Sequence, residues 1–406
     1  MRIDEKMEST SRKWTIHERV RAILEGEKPD RLPFIDRLEI WYKHHTRTGT
    51  LPGEFNGMSL TDIHRAVGIG QEEFFSLYGI RLHGVEVISK FDGETFYRET
   101  DPFLDSFPRL SGLIPEDRAG VTLTEFITSI GKLNLQHQVL GEMISAGVVP
   151  HLKEHLIKEE ANYRTVEYIL EHAEYVPLFE RAHEEEVRLG DIGFLVPALP
   201  RIPFQQMLIE YLGTIPLFHA LYDSPRLVNR LLAVLDEQVI EIIQKVSEWP
   251  GLYVEFIDNI HAEMTNPKLF AEYCLPYYQC YTEMLHCQGK KVGSHTDGNI
   301  KPLLGLLADS GLDVCVSFSP VPLTECTFEE AWEAWKDGPI IWGGIPSPLL
   351  EKRTSENDFR EHIVRLLQTI GDRPIILGIG DMVMGNNLID RVRYIAERVE
   401  DHEIGG

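Results

Sequence analysis

A chain of 406 residues, 26% charged and 43% hydrophobic, has an ordinary globular composition and is long enough to bury a large core. Its net charge of −24 with histidine neutral repels phosphate backbones, which argues against nucleic-acid binding, and no basic run reads as a membrane-surface patch. No apolar run has the length of a membrane span. The opening residues MRIDEKMESTSRK lack the apolar stretch of a secretory signal, and the five cysteines are odd in number and without CxxC spacing, so a cytoplasmic protein is expected.

Residues 1–13 are polar and are expected to be a flexible N-terminus; residues 14–406 read as one domain, since α/β barrels with insertions reach this length as a single unit. Thr15 to Glu18 opens a helix: Thr15 caps it, Glu18 completes a capping box and Gly26 stops it. After a turn at residues 28–31, residues 32–35 predict a short strand ending at Asp36-Arg37. Residues 60–80 look helical. Between about 84 and 131, short β-rich runs at 85–88, 95–98 and 121–124 alternate with Gly, Pro and Asp, which predicts an inserted β-meander. Residues 154–189 return to helical periodicity.

From there strands and helices alternate. Apolar β-rich runs stand at 193–199, 253–258, 290–295, 312–318, 339–345 and 374–380, with helical stretches at 224–247, 266–288, 299–310, 356–371 and 386–400. Short apolar strands between amphipathic helices predict a parallel sheet covered on both faces. With the strand ending at Asp36 they number seven of the eight that a (β/α)8 TIM-type barrel needs; the eighth has no clear place. An open doubly wound sheet is the alternative, weakened because no GxGxxG follows a strand. On the helix at 266–288, Tyr277, Tyr278 and Tyr281 read as packing groups, and Cys274, Cys280 and Cys287 as core or free thiols, because steps of six and seven build no compact metal site.

Polar residues cluster where strands end: Asp36-Arg37 after the first, Asp258-Asn259 with His261 and Glu263 close behind, His295-Thr296-Asp297-Gly298, and Asp381. In a barrel these ends converge on one mouth. His295 and Asp297 share one face of an extended segment, and an imidazole with carboxylates serves either a divalent ion or acid–base chemistry. Asp297 could equally cap the helix near Asn299, and His295 could be a satisfied wall residue. Glu255 points either into the barrel or toward a paired cation, and Asp36-Arg37 also reads as an ordinary ion pair.

Four segments in order resemble the uroporphyrinogen decarboxylase superfamily: RVRAILEGEKPDRLPFID, DNIHAEMTNPKLFAEYCLPYYQ, GKKVGSHTDGNIKPLLGLLADSGLD, and WGGIPSPLLEKRT through ILGIGDMVMGNNLIDRVRYIAERVE. They cover most of the chain from Val20 to Glu400. The porphyrinogen-decarboxylating branch carries an Arg-Gln-Ala-Gly-Arg run where this chain reads FIDRLEIWYKHH, which points away from that reaction. The other branch, the corrinoid-dependent methyltransferases, often holds zinc on a His-x-Cys pair and a later Cys. The matching positions here are His295-x-Asp297 and Asp381, so harder oxygen donors replace both thiolates. The resemblance therefore implies a methyltransferase that moves a methyl group from a small, O-methylated substrate to a corrinoid carried by a partner protein. His295, Asp297 and Asp381 would hold a divalent ion, zinc first, Asp258, Glu263 and His295 would act in catalysis, and Asp36 and Arg37 would bind substrate. It also carries the expectation of a homodimer. A metal-independent decarboxylase or lyase acting on a small non-porphyrin acid, and a non-catalytic tetrapyrrole- or corrinoid-binding barrel, are the alternatives.

Overall fold

The computed structural model describes residues 13–110, 112–380 and 382–402. The first helix, Ile16–Glu25, starts as expected: the Thr15 hydroxyl accepts the Glu18 amide and the Glu18 carboxylate accepts the Thr15 amide. Gly26 closes it at φ 77°, in the left-handed region that a glycine enters without steric cost. Its apolar residues Val20, Ile23 and Leu24 pack against Ile35, Phe194 and Val196, which line the lower barrel. The helix therefore plugs the end at which the strands begin.

Eight parallel strands form the barrel: β1 (Ile35–Asp36), β2 (Gly70–Ser76), β3 (Gly193–Leu199), β4 (Tyr253–Ile260), β5 (Lys291–Thr296), β6 (Val314–Phe318), β7 (Ile340–Pro346) and β8 (Ile375–Gly380). Each pairs with the next in chain order, and the ring closes where the Leu377 amide donates to the Pro33 carbonyl beside a parallel Phe34–Leu377 bridge. This is the expected (β/α)8 TIM-type barrel. The outer layer is bought by helical periodicity: in Pro225–Val246, residues Val228, Leu231, Leu232, Leu235, Val239, Ile242, Ile243 and Val246 are buried at steps of three and four. Each such side chain contributes roughly 1.5–3 kcal/mol on burial.

The strand without a place in the sequence is β2, inside the stretch 60–80 that was expected to be helical throughout. The helix there is only Leu60–Val67, followed by β2 and by a further strand, Tyr78–Leu82. The sequence of β2, GQEEFFS, conceals it because three polar residues interrupt the apolar run. The alternation is nevertheless regular. Gly70 packs on Ile16 and Ile35 inside the barrel, and Phe74 joins the same interior cluster, whereas Glu73 faces the helix Phe179–Leu189 and approaches its Arg188 at 3.4 Å.

The inserted β-structure is present and reaches further than 84–131. A five-stranded antiparallel sheet contains Glu86–Phe91, Glu94–Thr100, Gly120–Ile127, Lys132–Val139 and His151–Glu154. A three-stranded one joins Tyr78–Leu82, Phe103–Leu104 and Ala173–Pro177. The last of these also splits the helical stretch expected over 154–189 into Glu160–Glu171 and Phe179–Leu189. All five cysteines are free thiols, and Tyr278 and Tyr281 are core packing groups. Among the described residues no helix is long and apolar enough to cross a membrane.

Candidate active site

The parity of each strand decides which polar residues can meet inside the barrel. On β4, Tyr253 belongs to the interior cluster, so Glu255 also turns inward; Val254, Phe256 and Asp258 turn toward the helices. On β5 the inward positions are Gly293 and His295, while Ser294 meets Tyr278 on the helix side.

The Tyr253 hydroxyl donates to Glu255 Oε2 at 2.8 Å. The other carboxyl oxygen, Oε1, is buried without a hydrogen bond and lies 4.0 Å from Nδ1 of His295. Gly293 makes this arrangement fit, since a Cβ there would fall 1.8 Å from the Tyr253 hydroxyl. Burial raises the Glu255 pKa well above the usual carboxylate range, and the charge of Glu72 adds to it. Burial likewise pushes Glu72 up to about 7 against the opposing pull of Arg37. His295 moves the other way, to about 3, through burial and then the charges of Arg37 and Arg201. Its approach to Glu255 is therefore one of neutral imidazole to carboxyl, not an ion pair. The barrel centre is a group of proton-holding but largely uncharged side chains.

Above it runs a chain of polar contacts. Arg201, just beyond β3, donates to Asn259 Oδ1 at 2.9 Å, and Asn259 Nδ2 lies 3.4 Å from Asp297 Oδ2. On its other side Arg201 meets Glu210 at 3.2 Å, and Arg109 from the inserted segment donates to the same Glu210 oxygen at 2.8 Å. Burial, then the charge of Arg109, lowers Arg201 to about 10, so it remains cationic at neutral pH. Arg37 packs over the Phe74 ring at 4.9 Å. Arg37, Arg109, Arg201 and Glu210 line a cavity of about 510 Å³ walled by Leu110, His137 and Leu152. A second cavity of about 460 Å³ opens at the opposite end of the barrel, beside His17 and Lys290, away from every strand-end residue singled out in the sequence.

The expected residues divide accordingly. His295 stands in the centre, Arg37 lines the cavity, and Asp297 is half-buried at the rim. Asp36 is not placed to bind substrate: its carboxylate accepts the backbone amides of Arg37 and Ile379 and so ties β1 to β8. Asp258 is not at the mouth either. It is fully buried on the outer face, accepting from the Ile202 amide at 2.8 Å, the Tyr278 hydroxyl at 2.6 Å and the Ser294 hydroxyl at 3.2 Å. Burial raises its pKa to about 6 although the Tyr278 bond opposes the shift. Glu263 is exposed beyond β4. Asp381 lies outside the described residues. Sequence reasoning did not single out Glu72, Tyr253, Arg109, Arg201 or Glu210. The first two were within reach of a period-two reading of their strands, whereas the last three lie outside the barrel strands, Arg109 in the inserted segment and Arg201 and Glu210 in the connection after β3.

Residues 209–402, which include β4 to β8, match the family model described as Uroporphyrinogen decarboxylase (URO-D). Over these residues, just under half of its length, the chain is similar to that family. Among solved structures it is similar to a "methyltransferase from Methanosarcina mazei" at 12% identity, covering 96% of this chain and 99% of that one with a TM-score of 0.53, which speaks for a shared fold. A ribulose-1,5-bisphosphate carboxylase/oxygenase from Pyrococcus horikoshii also matches, at 12% identity over 58% of this chain and 46% of that one with a TM-score of 0.29, too low to carry an argument. No curated protein matches the chain.

Proposed function

We propose that the protein is a methyltransferase that removes the methyl group of a small methyl ether in the mouth cavity and passes it to the corrinoid of a partner protein. The observation that carries this reading is Glu255, a buried carboxyl with one oxygen free of hydrogen bonds, beside His295 and within the field of Arg37, which lines the cavity. When a methyl–oxygen bond breaks, the leaving oxygen must gain a proton. A carboxyl whose hold on its proton is strengthened by burial is suited to give it, and Tyr253 fixes the orientation of that carboxyl. The neutral ring of His295 lies 4.0 Å from that carboxyl and feels the charges of Arg37 and Arg201, which line the cavity, so it is suited to pass the proton on. The partner's reduced corrinoid supplies the nucleophile that takes the methyl group.

A divalent ion on His295, Asp297 and Asp381 is a separate expectation of the family resemblance. Asp297 is engaged by Asn259 at the rim, and among the described residues no three His, Cys, Asp or Glu side chains gather so as to hold a metal. Asp381, the third of those ligands, lies outside the described residues, and the proton path through Glu255 and His295 does not depend on the ion.

Methyl transfer to cob(I)alamin from a panel of methoxylated compounds tests the reading. Turnover with at least one compound is expected, falling about 10²–10⁴-fold in Glu255→Gln. Absence of transfer across the panel would overturn it. The three arginines of the cavity favour a second reading, a decarboxylase of a small organic acid, and release of CO2 without methyl transfer would select it.

A further inference from the structure

We infer that the mouth cavity takes an organic carboxylate, bound by Arg109 and Arg201, with the apolar body of the ligand against Leu110, Leu152 and Ile209. This rests on the cavity being the substrate site, as in both readings above, and on neither chemistry in particular. Three features lead to it. First, Arg109 and Arg201 both meet a single oxygen of Glu210, so one carboxylate answers two guanidinium groups. The other carboxylate whose charge Arg201 feels, Asp258, is already occupied by Ile202, Tyr278 and Ser294. The site is thus short of negative charge where it is least hydrated, and an incoming carboxylate supplies it in the planar form that a guanidinium matches. Second, Leu110, Ile114, Val149, Leu152 and Ile209 give the cavity an apolar side that suits a hydrocarbon body, and the other acid in its lining, Glu116, is paired with Lys43 at 3.2 Å and so does not answer the arginines. Third, His137 lines the same cavity with its side chain 6% exposed and its Nδ1 without a hydrogen bond. Burial lowers its pKa to about 4, so at neutral pH this nitrogen serves a polar substituent of the ligand rather than its charge.

Arg109 and His137 both belong to the inserted segment. The inference therefore assigns that segment a part in choosing the substrate, beyond covering the barrel.

Calorimetric titration of the full chain with benzoate, phenylacetate and 3-phenylpropionate, each beside its neutral amide, tests this. At least one acid is expected to bind about tenfold or more tightly than its amide. Arg109→Gln should weaken that acid by a similar factor and Arg109→Lys by less. Glu210→Gln, which removes the competing carboxylate, should tighten it, a change of sign that a general loss of structure cannot produce. Equal binding of every acid and its amide, no effect of Arg109→Gln, or sulfate displacing the best acid at equal concentration would each overturn the inference. Because binding is read without turnover, a carboxylate that binds while no methyl is transferred leaves the inference standing and removes only the methyltransferase. Methyl transfer from neutral ethers alone would do the reverse.

Discussion

Replacing Glu72 by Gln removes a carboxyl whose pKa burial holds at about 7, against an ordinary value of 4.5. The folded chain keeps this proton over a range in which the unfolded chain has released it. Stability from the group is therefore fully present below about pH 4.5 and is lost as the pH rises through about 7. The interval is about 2.5 units, and at 1.36 kcal/mol per unit the wild type should lose roughly 3 kcal/mol by pH 8. The side chain is only 7% exposed, so solvent screening takes little from this figure. Gln keeps the shape without the titration, and its own burial cost does not vary with pH. Glu255 and Asp36 are also raised in part by the charge of Glu72, so relieving them acts in the same direction. Urea unfolding of both proteins at pH 5, 6, 7 and 8 measures the difference. The variant should gain on the wild type from pH 5 to pH 7 and level off by pH 8, by roughly 2.5 kcal/mol over that range, with unchanged urea slopes. A difference that does not vary with pH would show that Glu72 is ionised or solvated in the folded chain, and the argument for a proton-holding barrel centre would fail with it.

His295→Gln should leave the melting temperature nearly unchanged, because the ring is already neutral in the folded state, while methyl transfer falls by about 10²-fold or more; a melting curve beside the cob(I)alamin assay separates the two. Gly293→Ala places a methyl group on the Tyr253 hydroxyl and should cost about 1–3 kcal/mol, measured by urea unfolding, with part of it recovered in the double variant carrying Tyr253→Phe. Asp258→Asn weakens an acceptor of three hydrogen bonds and should destabilise the fold by about 1–3 kcal/mol, while the rate per folded molecule, found by active-fraction titration, stays within a few-fold of wild type.

The legible and illegible parts of the chain differ for a physical reason. Strands β3, β6, β7 and β8 are largely apolar on both faces because helices cover one side and the barrel interior the other, so they appear as hydrophobic runs, whereas β4 and β5, which carry polar residues, are marked by short apolar segments and the turns around them. β2 escapes because its inward positions include Gly70 and Glu72, side chains chosen for room and chemistry, and its outward ones include Gln71 and Glu73. The same point explains why Asp258 misleads. An acid at the end of an apolar strand suggests the mouth, yet by parity it shares a face with Val254 and Phe256, and its oxygens bind Ile202, Tyr278 and Ser294. His295 was identifiable because it stands at the end of its strand, two residues before Asp297, where side chains of an extended segment share a face. Arg109, Arg201 and Glu210 were not, since their meeting depends on how the inserted segment lies over the barrel, a long-range contact that no local pattern encodes.

Irregular backbone in the barrel is concentrated at this mouth. Asn259, at φ 57°, stands where the β4–β5 register shifts, and Ser317, at φ 62°, where the β6–β7 register shifts. Gly343, at φ 133°, would bring a Cβ within 2.7 Å of the Phe318 backbone, so no other residue fits there. Glu210 sits in a π-helical turn, Met207–Tyr211. Non-glycine residues in the left-handed region cost about 1 kcal/mol or more each, and a stability-driven sequence would replace them. Their positions give the reason they persist. The Asn259 side chain joins Arg201 to Asp297, and the π-turn carries Glu210, on which both arginines converge. The lower barrel, by contrast, is closed by a regular helix and an apolar cluster. Regular packing at one end thus offsets the strain held at the other, where the ligand is expected to bind.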